Sequence, residues 1–338
     1  MSIKNNDSAV NRLKLIFPLL LIILPFVIKS RYYQDIIVLT FLWAGLASSW
    51  NLTCGYSRRF STGHGAFLGI GAYTSTLLYI NFNITPWIGM IVGGLISMVA
   101  AMLLGSITLR LKGTFFVLTT ISFAEILRIF FVNARGLTGG SMGLSIPYSE
   151  GLGNLCWNAK EPFAVICWVY MVMMLLICSK LEKSKVGYQL IAVGQDRDAA
   201  ETLGVNSTKV LVLAYVASAF FTSIGGSLFA QYIMYIEPNT VMGMSQTSTQ
   251  FIMIAFIGGV GTAFGPLLGA MIIIPLTTLL RGTFSNISGL HGAVFGVVLL
   301  LVILVKPEGL IMPVRKAVNI LLGNIAAARE QREKGAAD

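Results

Sequence analysis

Stretches of uncharged, mostly apolar sequence, each long enough to cross a lipid bilayer, recur along this 338-residue chain. A helix needs about 20 such residues to span the hydrocarbon core. By that measure spans are expected near 15–29, 36–54, 62–80, 87–109, 114–133, 162–180, 209–235 and 288–305. A further run, 249–280, is too long for one crossing, and GGVGTAFGP (Gly258 to Pro266) breaks its middle. Two short crossings or a re-entrant hairpin both suit it, because non-helical backbone is tolerated at membrane depth where protein or a water-filled cavity surrounds it. The expected fold is an all-α membrane protein, a polytopic helical bundle of about 8–10 transmembrane helices with broken or re-entrant segments.

Composition excludes the soluble classes. The chain is 55% hydrophobic and 11% charged, against about 25% charged in soluble domains. Its 35 glycines suit helices that pack closely in a membrane. A net charge of +10 does not point to nucleic acid, because the Lys and Arg residues sit in short loops and tails between apolar runs. Cys54, Cys156, Cys167 and Cys178 lack metal-ligand spacing and read as small hydrophobes.

Charge also sets the orientation. Lys4, Arg12 and Lys14, then Arg58 and Arg59, then Arg110 and Lys112, then the loop 180–209, then Arg315 and Lys316 fall at every second connection. The connections 80–86, 236–247 and 282–288 are almost free of Lys and Arg. By the positive-inside rule both termini are cytoplasmic, which requires an even number of crossings: ten, or eight plus a hairpin. The first apolar run carries Pro18 and Pro25 and ends in Lys29-Ser30-Arg31-Tyr32, so it reads as a retained span rather than a cleaved signal. After residue 313, Val314, Val318, Leu321, Leu322 and Ile325 lie at helical spacing, an amphipathic helix expected on lipid at the inner leaflet.

The loop 180–209 is the densest charged stretch and it is patterned. Leu190, Ile191 and Val193 precede Asp198-Ala199-Ala200-Glu201-Thr202-Leu203-Gly204, a short helix-forming segment ended by a glycine suited to a C-cap. Such a helix can seat in a groove of a soluble partner while its flanking spans transmit force. An ordinary basic loop that anchors orientation is the alternative, and the chemistry alone leaves both open.

Asp198-Ala199-Ala200-x-x-x-Gly204 is similar to the Glu-Ala-Ala-x-x-x-Gly signature by which permeases of bacterial ATP-binding-cassette (ABC) importers engage their ATPases. Asp198 stands for the first glutamate, and Asn206-Ser207-Thr208 replace the hydrophobic-x-Leu-Pro tail. Five ordered blocks resemble one branch, the LivM-type permeases of branched-chain amino acid importers: Asn51 to Thr74, Arg110 to Arg128, LTGGSMGL at Leu137 to Leu144, Val186 to Ala230, and Gly258 to Ala270. The resemblance as a whole covers roughly residues 35 to 310. The resemblance implies three regions: 1–34, a cytoplasmic tail and first span; 35–312, a permease domain with coupling loop 182–208; and 313–338, the amphipathic tail. It further implies a bacterial inner-membrane, multi-pass protein that moves Leu, Ile or Val. Its partners would be a homologous LivH-type permease, two ATP-binding cassette subunits and an extracytoplasmic substrate-binding protein. A urea or short-amide permease of the same family is the alternative, and a stand-alone secondary transporter is the rival from another class.

No Gly-Lys dipeptide occurs, so the chain has no G-x-x-x-x-G-K-[ST] phosphate loop. ATP would be hydrolysed by partners; no catalytic residue, cofactor or metal is expected here. Gly139-Gly140-Ser141-Met142-Gly143 fits the G-x-S-x-G pattern, but no flanking strand, helix or His/Asp pair supports a hydrolase; the glycines are expected to shape an external turn.

Candidate path residues are polar groups at or within spans: Ser48, Asn51, Ser61, Thr62, His64, Thr119, Thr120, Ser122, Thr247 and Gln250. A zwitterion needs polar partners at both ends without being held tightly, which hydroxyls, amides and backbone groups supply. The small residues from Ser61 to Gly71 allow close helix approach, or a broken helix there exposes His64 to the path. Glu125 and Arg128 are the one opposite-charge pair well inside an expected span. Each alone would cost about 2.5–3.5 kcal/mol at the membrane centre, and three-residue spacing lets them pair on one face.

Overall fold

The computed structural model describes residues 17–111 and 113–283, with isolated positions at 296–297, 300, 304 and 309–311. The expected span at 288–305, the tail helix and the N-terminal charges therefore fall largely or wholly outside the described residues.

Among the described residues the apolar runs form helices. In order these are α1 (Arg31–Trp50), α2 (His64–Phe82), α3 (Pro86–Thr108), α4 (Thr114–Asn133) and α5 (Glu161–Glu182). The short α6 (Lys185–Gln195) and α7 (Arg197–Thr202) come next, then α8 (Ser207–Ile233), α9 (Pro238–Met242), α10 (Thr249–Gly258) and α11 (Gly265–Thr283). Among the described residues six are long and apolar enough to cross a membrane: α1 with its continuation to Gly55, α3, α4, α5, α8 and α11. The expected span 62–80 does form as α2, but its Gly, Ser, Thr and Asn content leaves it outside those six. Before α1, Phe17–Val27 is an apolar helix with a 3₁₀ stretch at Leu21–Ile23. Pro25 has no N–H for the Leu21 carbonyl, and the Leu24 N–H takes that carbonyl instead, tightening the turn.

The run 249–280 is not one helix. A loop at Gly259–Phe264 separates α10 from α11, and the two pack on each other. At 1.5 Å per residue α10 is about 15 Å long, half of the roughly 30 Å hydrocarbon core. A π-helical turn, Met244–Ser248, precedes it, so the segment from α9 to α10 is a broken helix.

Helix α8 is central, packed by α1, α2 and α3. Glycine makes the approach possible. A Cβ on Gly226 would stand 2.1 Å from the Leu68 carbonyl oxygen, and one on Gly71 would stand 2.0 Å from that of Ser223. Ser227 Oγ donates to the Gly71 carbonyl at 2.9 Å, so α2 and α8 are joined by backbone contact and a side-chain bond. Trp50, Tyr73, Tyr215, Phe67 and Phe251 fill the interior around them.

The loops sort to two ends. One end gathers Tyr56 to Phe60, Leu109 to Leu111, α6 and α7, and the loop Gly259–Phe264, cross-linked by side-chain bonds. Leu310 joins the same end, its N–H donating to Ile257 O at 2.8 Å. The other end holds a two-stranded antiparallel ribbon, β1 (Leu144–Ser145) with β2 (Tyr235–Ile236), and an ion pair of Lys160 with Asp35, which also accepts from Tyr232 Oη. The ribbon is a small departure from an all-helical expectation. The glycines of LTGGSMGL make the turn before it: Gly139, Gly140 and Gly143 all have positive φ.

Candidate functional site

The residues of the loop 182–208, expected to couple to a partner, form a built structure. Ser184 caps α6, its Oγ accepting from Gly187 N at 3.0 Å, and Leu190 and Val193 are buried beneath it. Asp196 then adopts extended backbone and caps α7, its Oδ1 accepting from Asp198 N at 2.9 Å and Ala199 N at 3.0 Å. At the far end Gly204 has φ +84. Its N–H bonds Glu201 O, and the Val205 N–H bonds Ala200 O, both at 3.0 Å. That pair of bonds is a Schellman closure, which needs the left-handed conformation that glycine takes without strain. Ala200 is buried against the bundle, while Asp198, Ala199 and Gly204 are exposed. Leu203 is 85% exposed and Tyr188 65%, so apolar side chains project from this end into open space.

Residues that the motif does not mark fix the loop in place. Arg197 spreads over three partners: Glu201 Oε1 at 2.8 Å, Leu109 O at 3.0 Å and Thr208 Oγ1 at 3.0 Å. Arg59 donates to Leu109 O and Leu111 O, each at 3.0 Å, with its guanidinium 6.0 Å from the Phe116 ring centroid. Burial, then the like charge of Arg197, lowers the pKa of Arg59. At the end of α5, Glu182 Oε1 accepts from Tyr56 Oη at 3.1 Å and from Ala263 N at 2.6 Å. Asp196, which the motif does not mark, does carry a local signal, since an aspartate just ahead of a helix-forming run suits an N-cap. Arg59 and Glu182 carried no local signal, because their partners are distant in sequence; for Arg197 only the i,i+4 pairing with Glu201 is local, and its bond to Leu109 O is not.

The path candidates fall into three places. Ser61, Thr62, His64 and Thr120 share a closed polar cluster between α1, α2, α4 and α8, all buried. His64 Nε2 lies 2.8 Å from Ser218 Oγ. Ser218 gives its only proton to Ser49 O at 2.6 Å, so its oxygen accepts and His64 carries its hydrogen on Nε2. His64 Nδ1 has no partner among the described residues. Trp50, Phe67, Tyr215 and Phe251 ring the imidazole. Ser61 O accepts from Trp50 Nε1 at 2.8 Å, and Thr62 N approaches Thr120 Oγ1 at 3.4 Å.

Ser48 and Asn51 lie further along α1 and its π-turn. Ser48 Oγ bonds back to Ala44 O at 2.7 Å. Asn51 clamps the hairpin loop: its Oδ1 accepts from Gly261 N and its Nδ2 donates to Thr262 O, both at 2.9 Å. Its amide lies 1.8 Å from where a Cβ of Gly55 would be, so the π-turn and Gly55 together admit the clamp.

The remaining candidates border α4. Thr119, Ser122 and Glu125 descend its less buried face at three-residue steps. Thr119 bonds Phe115 O at 2.8 Å and Ser122 bonds Leu118 O at 3.0 Å. Glu125 and Arg128 form an ion pair, with Arg128 Nε donating to Glu125 Oε2 at 2.9 Å. Arg128 Nη1 reaches Asn239 Oδ1 at 2.5 Å. Beside them is a pocket of about 420 Å³ lined by Arg128, Asn239, Gly243, Met244 and Thr249. Thr247 is buried, donating to Thr240 O at 2.7 Å, and Gln250 is half-buried.

A bundle of membrane-length helices with a broken helical hairpin, a buried polar cluster and a capped loop at one end defines a polytopic all-α membrane protein. The chain belongs to the family described as the branched-chain amino acid transport system permease component, which matches residues 32–303. It is 28% identical to the high-affinity branched-chain amino acid transport permease LivM of Salmonella typhimurium, over 94% of this chain and 79% of that protein. The Escherichia coli LivM is 28% identical over 91% of this chain and 76% of its own. LivH of Salmonella typhimurium is 28% identical over 54% of this chain and 60% of its length. No solved structure matches.

Proposed function

We propose that this chain is the transmembrane permease subunit of an ABC importer and supplies half of a path for branched-chain amino acids across a bacterial inner membrane. The observation that carries this reading is the capped α6–α7 unit. It is anchored to the bundle by Ala200 and Arg197, yet turns Leu203 and Tyr188 outward. An amphipathic surface of that kind fits a soluble partner's groove. The end that bears it also carries Arg58, Arg59, Arg110, Lys183, Lys185 and Arg197, which supports a cytoplasmic position.

The mechanism is alternating access driven from outside the chain. Moving an equilibrium from 1:99 to 99:1 takes about 5.5 kcal/mol of differential binding. Nucleotide-driven closure of two ATPase subunits is a source of that size, and α7 is the handle through which it acts. The partners are a LivH-like permease, the two ATPases and an extracytoplasmic binding protein. The test is reconstitution with these partners in proteoliposomes. Leucine uptake should require ATP, binding protein and all subunits, and the chain alone should concentrate nothing. Uphill uptake by the chain alone would defeat the reading.

A further inference from the structure

The Glu125–Arg128 pair sits on a membrane-length helix but is not sealed inside the protein. The side chains are 45% and 25% exposed, respectively. Charged groups in a span face the bundle interior or a water-filled cavity, so a half-exposed pair marks a polar space beside α4. Arg128 lines such a space, the pocket of about 420 Å³, within the roughly 300–1,000 Å³ usual for small-molecule sites, and Glu125 reaches its edge through its ion pair with Arg128. Its other wall is the break between α9 and the π-helical turn, at Gly243 and Met244. Broken helices of this sort line substrate sites near the middle of membranes.

We infer that this pocket binds the zwitterionic head of an α-amino acid, with Arg128 taking the carboxylate and Glu125 and Asn239 Oδ1 the ammonium; the inference rests on the transport reading above. Arg128 gives three of its five N–H groups to Glu125 and Asn239, leaving two for a carboxylate. Both Glu125 oxygens accept from Arg128 and keep further lone pairs on a side chain that is 45% exposed. Met244, 47% exposed, supplies an apolar, adaptable wall for an aliphatic side chain. The ligand's two charges match the two the protein already holds together, so the head can replace part of the internal pairing without stranding a charge.

The experiment uses the complete transporter in proteoliposomes with L-leucine as the probe. The double variant Glu125→Gln/Arg128→Met should lose leucine transport about tenfold or more, while ATP hydrolysis stimulated by the loaded binding protein stays near the unsubstituted rate. The exchanged pair Glu125→Arg/Arg128→Glu restores an ion pair but inverts the pocket, and should not recover transport. Independently of those variants, Met244→Cys should react with a water-soluble thiol reagent, and leucine during turnover should slow the reaction. Transport by the double variant at the unsubstituted rate, recovery by the exchanged pair, or labelling indifferent to leucine would each overturn the pocket while leaving the transport function standing. If the unsubstituted transporter takes up no leucine with ATP, the function itself is overturned, and the pocket assignment with it.

Discussion

Arg59 and Arg197 donate to one acceptor, the carbonyl oxygen of Leu109, each at 3.0 Å. That oxygen follows the last turn of α3, where carbonyls lack helical partners and the helix dipole is negative. Two cations converge there, one from the loop after α1 and one from α7. A rigid link between α7 and the end of α3 results, and it sets what α7 can move.

Arg197→Ala should therefore insert normally but transport poorly. Each charge-assisted hydrogen bond is worth about 1.5–3 kcal/mol, and losing one shifts the docked fraction of α7 by roughly 10- to 150-fold. Leucine uptake should fall about tenfold or more while ATP hydrolysis by the assembled transporter persists. Equal loss of both activities would point to failed assembly instead.

The caps of α7 should be separable from its docking surface. Asp196→Ala removes an N-cap worth about 1 kcal/mol, and Gly204→Ala places a side chain at φ +84, at a cost of about 1–2 kcal/mol. Both should speed hydrogen exchange of the amides from Asp198 to Leu203. Asp198→Lys combined with Gly204→Pro should abolish uptake with the protein still in the membrane, because proline cannot adopt that φ.

Gly226→Val and Gly71→Val should each destabilise the bundle by about 1–3 kcal/mol or more, since their Cβ atoms would meet backbone oxygens at 2.1 and 2.0 Å. A lower melting temperature in detergent would show it. Gly136→Ala is the control: a Cβ there meets nothing within 4 Å, and the melting temperature should be unchanged.

Sidedness can be read by labelling. Leu203→Cys, at a position 85% exposed, should react only from the cytoplasmic side, and Leu152→Cys, 70% exposed at the opposite end, only from outside. Reversal of either would invert the assigned orientation.

Much of this architecture was legible because a bilayer imposes length. The expected spans 87–109, 114–133, 162–180 and 209–235 differ from α3, α4, α5 and α8 by no more than two residues at any end. The glycine that ends α7 acts on its nearest neighbours, so that short helix and its C-cap could be read directly. The clamp of Asn51 on Gly261 and Thr262 could not be read, because its partners are 210 and 211 residues away. The hydrogen bonds of Glu182 to Tyr56 and Ala263 were hidden for the same reason.

By itself the sequence determined that this chain crosses a membrane as helices, where the 249–280 run breaks, and which loop carries a short capped helix. Those features follow from apolar run length, charge placement and local backbone preference, all of them short-range. Only the tertiary structure decided that His64 is enclosed by four aromatic rings while Arg128, paired with Glu125, lines an open pocket. Helical periodicity fixes a residue's angle on its own helix, but what that face meets depends on how helices distant in sequence pack, and here glycine contacts between α2 and α8 set that packing.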